Sequence, residues 1–347
     1  MTGLADQMAA AGQPIAVFAD RLRTAGLAEL QRPYPIHRFG SIRPLRVLSK
    51  RRAVASAARS QRIDGVFADS WKSVGAIPES LGPIAALAHG TEFPTHPRPG
   101  KANRIRAALT RCKTIIASSN YTASLVRHYV GSGGAEIIVV NPPIAPLPVA
   151  EPASLARIDA IIAGRSPVIS TLARLEPRKG IDAVIRGLAE LRGRHPQLVY
   201  VIAGGGADRL RLESLVAECG VAECVVFLGE VTDTQTKAAL LTRSDIYAMP
   251  SRRVGHSVEG FGIAYIEAGW YGAPALAGRD GGAVDAVLDE VTGLICNSAD
   301  QRDVTAALAR LLDDAPLRHR LGDNAAAHAR TQTWEAVLPR YLRAISL

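Results

Sequence analysis

Two glutamates eight positions apart stand in a glycine-rich frame, Glu259-Gly-Phe-Gly-Ile-Ala-Tyr-Ile-Glu267. The frame follows an apolar run ending at Met249-Pro250, which puts Glu259 in a loop and the residues from Phe261 onward in a helix. Gly260 and Gly262 let the main chain come close to a ligand. A helix start offers unpaired N–H groups and a positive dipole end, which suits a diphosphate. Glu267 falls two turns beyond Glu259, and both carboxylates can accept hydrogen bonds from the hydroxyls of a ligand. Helical carboxylates are commonly solvated and need no ligand. Glu267, however, stands among Ile263, Ala264, Ile266 and Ala268, where an unpaired buried charge would be costly. The pair is therefore read as functional.

A second run, Thr171-Leu-Ala-Arg174-Leu-Glu-Pro-Arg178-Lys179-Gly180, lies where a strand gives way to a helix. Cations at the C-terminal edge of a parallel strand are placed to neutralise a leaving diphosphate, and Arg174 and Lys179 are the candidates. Taken alone, the run reads equally as solvated loop charge. Gly204 and Gly205, in Ala203-Gly-Gly-Gly206, would shape the floor of a nucleotide pocket, although a tight turn is the commoner use of such a run. Asp280-Gly281-Gly282 is another close-approach loop. His89 directly follows the apolar run Ile84–Ala88, where it is placed to contact a transferred sugar or an acceptor hydroxyl, or to serve structure alone.

These residues need strands that end beside helices that begin. The first half supplies strand candidates at Ile15–Ala19, Gly65–Ala68, Ile84–Ala88, Thr114–Ala117 and Ile137–Val140, with helical stretches such as Arg46–Gln61 and Asn120–Tyr129 between them. Four prolines in residues 141–148 then rule out helix or central strand and mark a linker. A second alternating series follows at Val168–Thr171, Val199–Ala203, Val225–Leu228, Ile246–Met249, Ala275–Ala277 and Leu294–Cys296, with helices starting near Ile181, Asp208, Thr232, Phe261 and Gly282. Asp300–Ser346 reads as helical throughout. The pattern predicts two α/β domains with mostly parallel sheets facing across a cleft: residues 1–145, residues 146–330, and a C-terminal helix, 331–347, returning toward the first domain. A parallel α/β domain ordinarily opens on a strand. Here a helix, Leu4–Ala11, comes first, so the opening strand and its loop are expected to be missing; a genuine variant and a fragment both remain open.

The net charge of +9 is uneven: residues 1–150 carry +11 and the remainder −2. Seven cations lie in the helical stretch Arg43–Arg62, and six more in Arg98–Lys113. Leu45, Val47, Leu48 and Val54 in the first stretch, and Ile105 and Leu109 in the second, supply apolar companions. Basic helices of this kind can lie on an anionic bilayer, though charge runs are usually solvated faces. Interleaved aromatics are lacking, so nucleic acid is not the expected partner. No apolar window could span a membrane, and residues 1–20 lack the order of a signal peptide; cytoplasmic residence is expected, with peripheral contact to the inner face of the membrane. Four cysteines without a C-x-x-C pair suggest reduced thiols and no structural zinc.

These motifs together resemble the family-4 retaining glycosyltransferases of GT-B architecture, loosely over residues 4–345 and strongly over 165–300. Glu259-x7-Glu267 is similar to the paired-glutamate motif and Arg174 with Lys179-Gly180 to the diphosphate-binding pair; Asp245-Ile-Tyr-Ala-Met-Pro-Ser and Gly272-Ala-Pro274 are also in the family's style. The wording around Ala248–Glu267 is most like the phosphatidylinositol mannosyltransferases. The resemblance implies metal-independent transfer of a hexose, with retention, from GDP-mannose or a UDP-hexose to a lipid-linked or saccharide acceptor. It implies that Arg174 and Lys179 hold the diphosphate, Glu267 the ribose and Glu259 the donor sugar, that His89 lies on the sugar's reaction side, and that the main chain at Phe261, Gly262 and Ile263 binds phosphate. The family usually opens with a strand and a glycine-rich loop that this sequence does not show, which leaves a donor-binding but inactive subunit or a fragment as an alternative. A sugar-nucleotide epimerase of the same architecture would need a second set of carboxylates, and none is evident. A nicotinamide-dependent dehydrogenase would need a G-x-G-x-x-G turn, which is absent at 204–206.

Overall fold

The computed structural model describes residues 2–21, 32–131 and 133–345. The chain divides into two compact units, Met1–Val140 with Trp334–Leu347, and Asn141–Thr333.

The first unit contains α1 (Thr2–Ala10), β1 (Val17–Asp20), β2 (Ile36–Phe39), α2 (Arg43–Ser60), β3 (Val66–Ala68), α3 (Trp71–Val74), β4 (Ile84–Ala88), α4 (Pro99–Leu109), β5 (Thr114–Ala117), α5 (Asn120–Arg127) and β6 (Glu136–Val139). Strands β3-β4-β5-β6 form a parallel sheet in that order. Ile84–Ala88 is buried along its whole length, as a central parallel strand covered on both faces must be. On one face lie Trp71, Phe93, Ile105, Leu109 and Val126. On the other, Leu4 of α1 packs with Ala85, Leu87 and Ile116 and with the chain's last helix.

The strand near Ile15–Ala19 does not join the main sheet: β1 pairs in parallel only with β2, in a separate two-stranded sheet. β2, between Pro35 and Gly40, reads Ile-His-Arg-Phe and so forms no apolar run. Ile105 and Leu109 are core residues, 0% and 1% exposed, and so cannot serve as apolar contacts with a bilayer.

The second unit runs α6 (Pro152–Ile162), β7 (Val168–Leu172), α7 (Ile181–Leu191), β8 (Val199–Ala203), α8 (Arg209–Glu218), β9 (Val225–Gly229), α9 (Thr234–Thr242), β10 (Ile246–Met249), α10 (Ile263–Trp270), β11 (Ala275–Gly278), α11 (Ala283–Ala286), β12 (Gly293–Cys296), α12 (Gln301–Asp313) and α13 (Ala315–Thr331). Its six parallel strands lie in the order β12-β11-β10-β7-β8-β9. This is a doubly wound sheet whose connections reverse direction between β7 and β10. Successive strand residues face opposite sides. Ile169 joins the core beneath α7 and α12, and Val168 the core beneath α6 and α9. Asp245 serves the sheet itself, since its Oδ2 accepts the Val168 N–H at 2.7 Å and ties β10 to β7 at their starts.

The C-terminal stretch is not one helix. Asp314 caps α13 by accepting the Leu317 N–H at 2.8 Å, with Pro316 in the first turn. Thr333 forms a parallel bridge to Ile144 before α14 (Trp334–Arg343) begins. α14 belongs to the first unit, where Val337, Leu338 and Tyr341 bury against β4 and β5. Ser346 lies outside the described residues.

His328 of α13 lies against α10, beside Tyr265, Ile266 and Gly269. Its Nε2 is buried without a hydrogen-bond partner. Burial pulls its imidazole below the ordinary value of 6.5, so folding favours the neutral ring. A depressed folded pKa means that stability is full above the unfolded value and is lost as pH falls through the folded one. Unfolding free energy is therefore expected to decline as pH drops below about 6.5, and His328→Gln should flatten that slope. An unchanged slope in urea titrations would show that His328 does not set it.

Candidate active site

The switch point between β7 and β10 gathers the second unit's chemistry. A single 3-10 turn, Pro177–Lys179, follows β7 and ends at Gly180 in the left-handed region, φ 73°. A Cβ at Gly180 would lie 2.0 Å from the Pro250 carbonyl oxygen, so no other residue lets the two loops approach this closely. The tight turn brings neighbouring side chains to one side. Arg178 Nη1 and Lys179 Nζ both donate to Glu259 Oε2, at 2.9 and 2.5 Å. All three side chains are between 11% and 14% exposed. Arg178 Nε also donates to Glu176 at 2.8 Å, and Glu176 in turn pairs with Arg174 at 2.7 Å. Three cations and two carboxylates thus form a line with a net charge of +1.

Burial alone would raise the Glu259 carboxyl; Lys179 and then Arg178 outweigh it and leave the pKa below its ordinary value. Burial also lowers the Lys179 ammonium, and Glu259 restores only part of the shift.

Arg174 stands in the loop after β7, as expected; its side chain is 74% exposed and pairs with Glu176. Arg178 takes the buried position beside Lys179. It stands in the same run, but spacing alone does not show that two adjacent side chains share a side.

Behind Glu259, α10 starts at Gly262, φ 97°, without a side-chain cap and without an acid in its first turn. The N–H groups at this start therefore face no competing anion of their own helix. Phe261 is buried at 4%, Gly260 half-buried and Ile263 exposed at 42%. The Glu259 main chain is fixed from beyond: its carbonyl accepts the Gly282 N–H at 2.8 Å. Asp280 accepts the Arg253 N–H at 2.8 Å.

Glu267 lies on α10, 17% exposed, and its Oε1 accepts from Lys237 Nζ of α9. Lys237 supplies the compensation that the apolar surroundings of Glu267 demanded. Sequence reasoning missed it, because a lysine in the helix Thr-Gln-Thr-Lys-Ala-Ala-Leu-Leu-Thr carries no positional signal.

Gly204 and Gly206 are explained by main-chain packing: a Cβ there would lie 1.8 Å from the Ala173 oxygen or 2.4 Å from the Leu175 oxygen. Gly205 has ordinary room beside Glu230. The triplet lets the β8 end lie along the β7 loop, with Leu175 N–H donating to Gly205 O at 2.9 Å.

In the first unit, His89 is exposed at the end of β4. Its N–H donates to Glu92 at 2.7 Å, and its Nε2 lies 3.2 Å from the Asp69 carbonyl. A carbonyl can only accept, so that contact assigns the proton to Nε2 and leaves Nδ1 as the acceptor of the neutral ring.

Residues 156–328 match the Glycosyl transferases group 1 family and residues 1–146 the Glycosyltransferase Family 4 family. Over half of the chain, the sequence is 40% identical to the GDP-mannose-dependent alpha-(1-6)-phosphatidylinositol monomannoside mannosyltransferase of Mycolicibacterium smegmatis. That match takes in 45% of the relative, so the chain spans about half of its length. It is 30% identical to the corresponding monoacylated-acceptor mannosyltransferase of Corynebacterium glutamicum, over 82% of this chain and 76% of the relative. Among solved structures, a glycosyltransferase from Rickettsia africae superposes with a TM-score of 0.80 at 18% identity, covering 99% of this chain and 92% of its own. Anabaena HepE, solved with UDP, gives 0.76 at 18% identity, covering 95% and 99%. With a family match over each half and a curated relative matched over three quarters of its length, the chain belongs to the family-4 glycosyltransferases, built in the GT-B manner from two α/β units.

Proposed function

We propose that the protein transfers mannose, with retention, from GDP-mannose to a lipid-linked acceptor of the phosphatidylinositol mannoside class. The observation that carries this is the Arg178–Lys179–Glu259 cluster beside the acid-free start of α10, at the point where the sheet reverses. The activities for which the relatives are named supply the donor and the acceptor class. In this reading Lys179 and Arg178, with Arg174 as an outer cation, take the charge that grows on the departing diphosphate. Glu267 holds the ribose, Glu259 orients the sugar, and the departing phosphate accepts the acceptor proton on the same face. His89 remains the candidate contact of the transferred sugar, with Nδ1 as acceptor.

A donor screen tests it. GDP-mannose, UDP-glucose, UDP-N-acetylglucosamine and UDP-galactose are each assayed for thermal stabilisation and for release of nucleotide. GDP-mannose should raise the melting temperature most and be turned over. Equal melting with all four and no release would overturn the proposal. Positive charge from two side chains and a helix start should suffice at the diphosphate, so transfer should survive EDTA; loss restored by Mg2+ or Mn2+ would refute this.

The acceptor class implies work at a bilayer, and among the described residues no helix is long and apolar enough to cross one. Ile42, just before α2, and Leu45 and Leu48 within it are 67%, 54% and 44% exposed, with Arg43, Arg52 and Arg59 also exposed. Other cations of the stretch are committed elsewhere: Arg46 and Lys50 to Asp20, Arg51 to Glu79 and Arg62 to Asp64. In the second stretch, Arg111 donates to the carbonyls of Val74 and Ile77. We propose that the Leu45–Arg52 face of α2 rests on anionic lipid, each cation contributing about 1 kcal/mol. Sedimentation with anionic vesicles should fall with salt and should weaken in Leu45→Ala, Leu48→Ala and Arg52→Glu. Equal recovery with neutral and anionic vesicles at low salt would end this reading.

A further inference from the structure

Among the described residues outside the Glu259 cluster, the carboxylate with the most cationic partners is Asp182. It stands in the first turn of α7, two residues beyond Gly180, and is 6% exposed. Arg252 grips it with both terminal nitrogens, at 2.9 and 2.8 Å. Arg186 reaches it at 3.2 Å and Arg211 at 3.7 Å. Those two are secondary. Arg186 is the ordinary neighbour one helical turn along, and the fork of Arg211 is closed on Asp208 at 2.6 and 2.7 Å. The planar two-bond match, strong and directional, belongs to Arg252.

Arg252 is not part of α7. It follows Ser251 beyond the end of β10, and its own N–H donates to the Arg178 carbonyl at 2.8 Å. One residue therefore holds the β7 loop with its main chain and the start of α7 with its side chain. Seven positions later, Glu259 holds the same loop through the Arg178 and Lys179 side chains. The β10 loop is thus fastened to the β7 loop at Arg178 and Lys179 and to the start of α7 at Asp182.

An acid at the start of α7 would repel a nearby diphosphate if its charge stood alone. Arg252 cancels that charge, and the acid in turn occupies the positive end of α7. The start of α10 has no acid and is left to the ligand. We propose that Asp182 and Arg252 form a positioning clamp for the diphosphate-binding cations: by fixing the main chain at Arg178, they hold Arg178 and Lys179 to one place. The clamp touches no ligand itself. This rests on the nucleotide-sugar reading above.

The test uses the full chain and measures GDP, UDP, guanosine and uridine affinities, melting temperature, kcat and KM for Arg252→Gln, Arg252→Lys and Asp182→Asn. The Arg252 side chain is 21% exposed, so its variants carry the test if the buried Asp182→Asn does not fold. Arg252→Gln should weaken diphosphate binding about tenfold or more, the scale on which small misplacements act, while nucleoside affinity stays within about twofold. Arg252→Lys, which keeps the charge but not the fork, should recover part of the loss. Unchanged diphosphate affinity in Arg252→Gln would overturn the clamp, and so would diphosphate and nucleoside affinities falling together with the melting temperature. If the unmodified chain binds neither GDP nor UDP, the nucleotide-sugar reading fails first and the clamp with it.

Discussion

Replacing Lys179 with alanine is expected to raise the Kd for GDP roughly 10- to 150-fold, the equivalent of about 1.5–3 kcal/mol for a hydrogen bond to a charged group. The ammonium is buried and already shares Glu259 with Arg178, so its removal acts twice. It deletes one donor to the diphosphate. It also leaves the Glu259 carboxylate with less compensation, and that charge then opposes an incoming anion. Titration calorimetry with GDP measures the effect, and Lys179→Met, which keeps the apolar stem, separates charge from packing. Arg174→Ala should lose much less, because a side chain 74% exposed is screened by water. GDP affinity unchanged in Lys179→Met would remove this lysine from the diphosphate site.

The two glutamates are expected to part company. In Glu259→Gln, turnover should fall about 10²-fold, the order seen when one oriented polar group is lost from a reacting centre. GDP affinity should hold or improve, since the amide still accepts from Lys179 and Arg178 but no longer competes as an anion. In Glu267→Gln the donor Kd should rise about tenfold or more, because the ribose contact is made in the ground state and loses a charged partner. Its turnover at saturating donor should change little. Steady-state kinetics with separate Kd measurements distinguish these patterns. Full turnover in Glu259→Gln would take the sugar-orienting role from it, and an unchanged donor Kd in Glu267→Gln would take away the ribose contact.

Much of the second unit could be read from sequence because its strands are mostly apolar runs and each is followed in sequence by a helix. Val199–Ala203 and Ile246–Met249 have the expected bounds, and α7 begins at Ile181 as read. The loops between them were harder. Which of Arg174, Arg178 and Lys179 turns inward depends on one 3-10 turn and on Gly180 meeting Pro250, neither of which has a periodicity. Lys237 and Arg252 reach their carboxylates across 30 and 70 positions, a separation that no local pattern encodes. The first unit misled where charge was read without burial. The helix holding Arg104 and Arg106 turns Ile105 and Leu109 into the core, so these two apolar side chains do not accompany its cations at the surface. Of the separate β1–β2 sheet only β2 escaped, because Ile36-His-Arg-Phe39 holds a histidine and an arginine and forms no apolar run.

The return of α14 to the first unit has a consequence for synthesis on the ribosome. Residues 141–333 are contiguous and can complete their packing as soon as they emerge. The unit begun earlier cannot. One face of β4 and β5, at Ala85, Leu87 and Ile116, is covered by Val337, Leu338 and Tyr341, which are made some two hundred residues later. The nascent first unit must wait with an open apolar flank, exposed to chaperones and to other chains. Cutting the protein before Trp334 would make that exposure permanent. Such a truncation should yield an aggregation-prone first half beside a second half that still melts cooperatively.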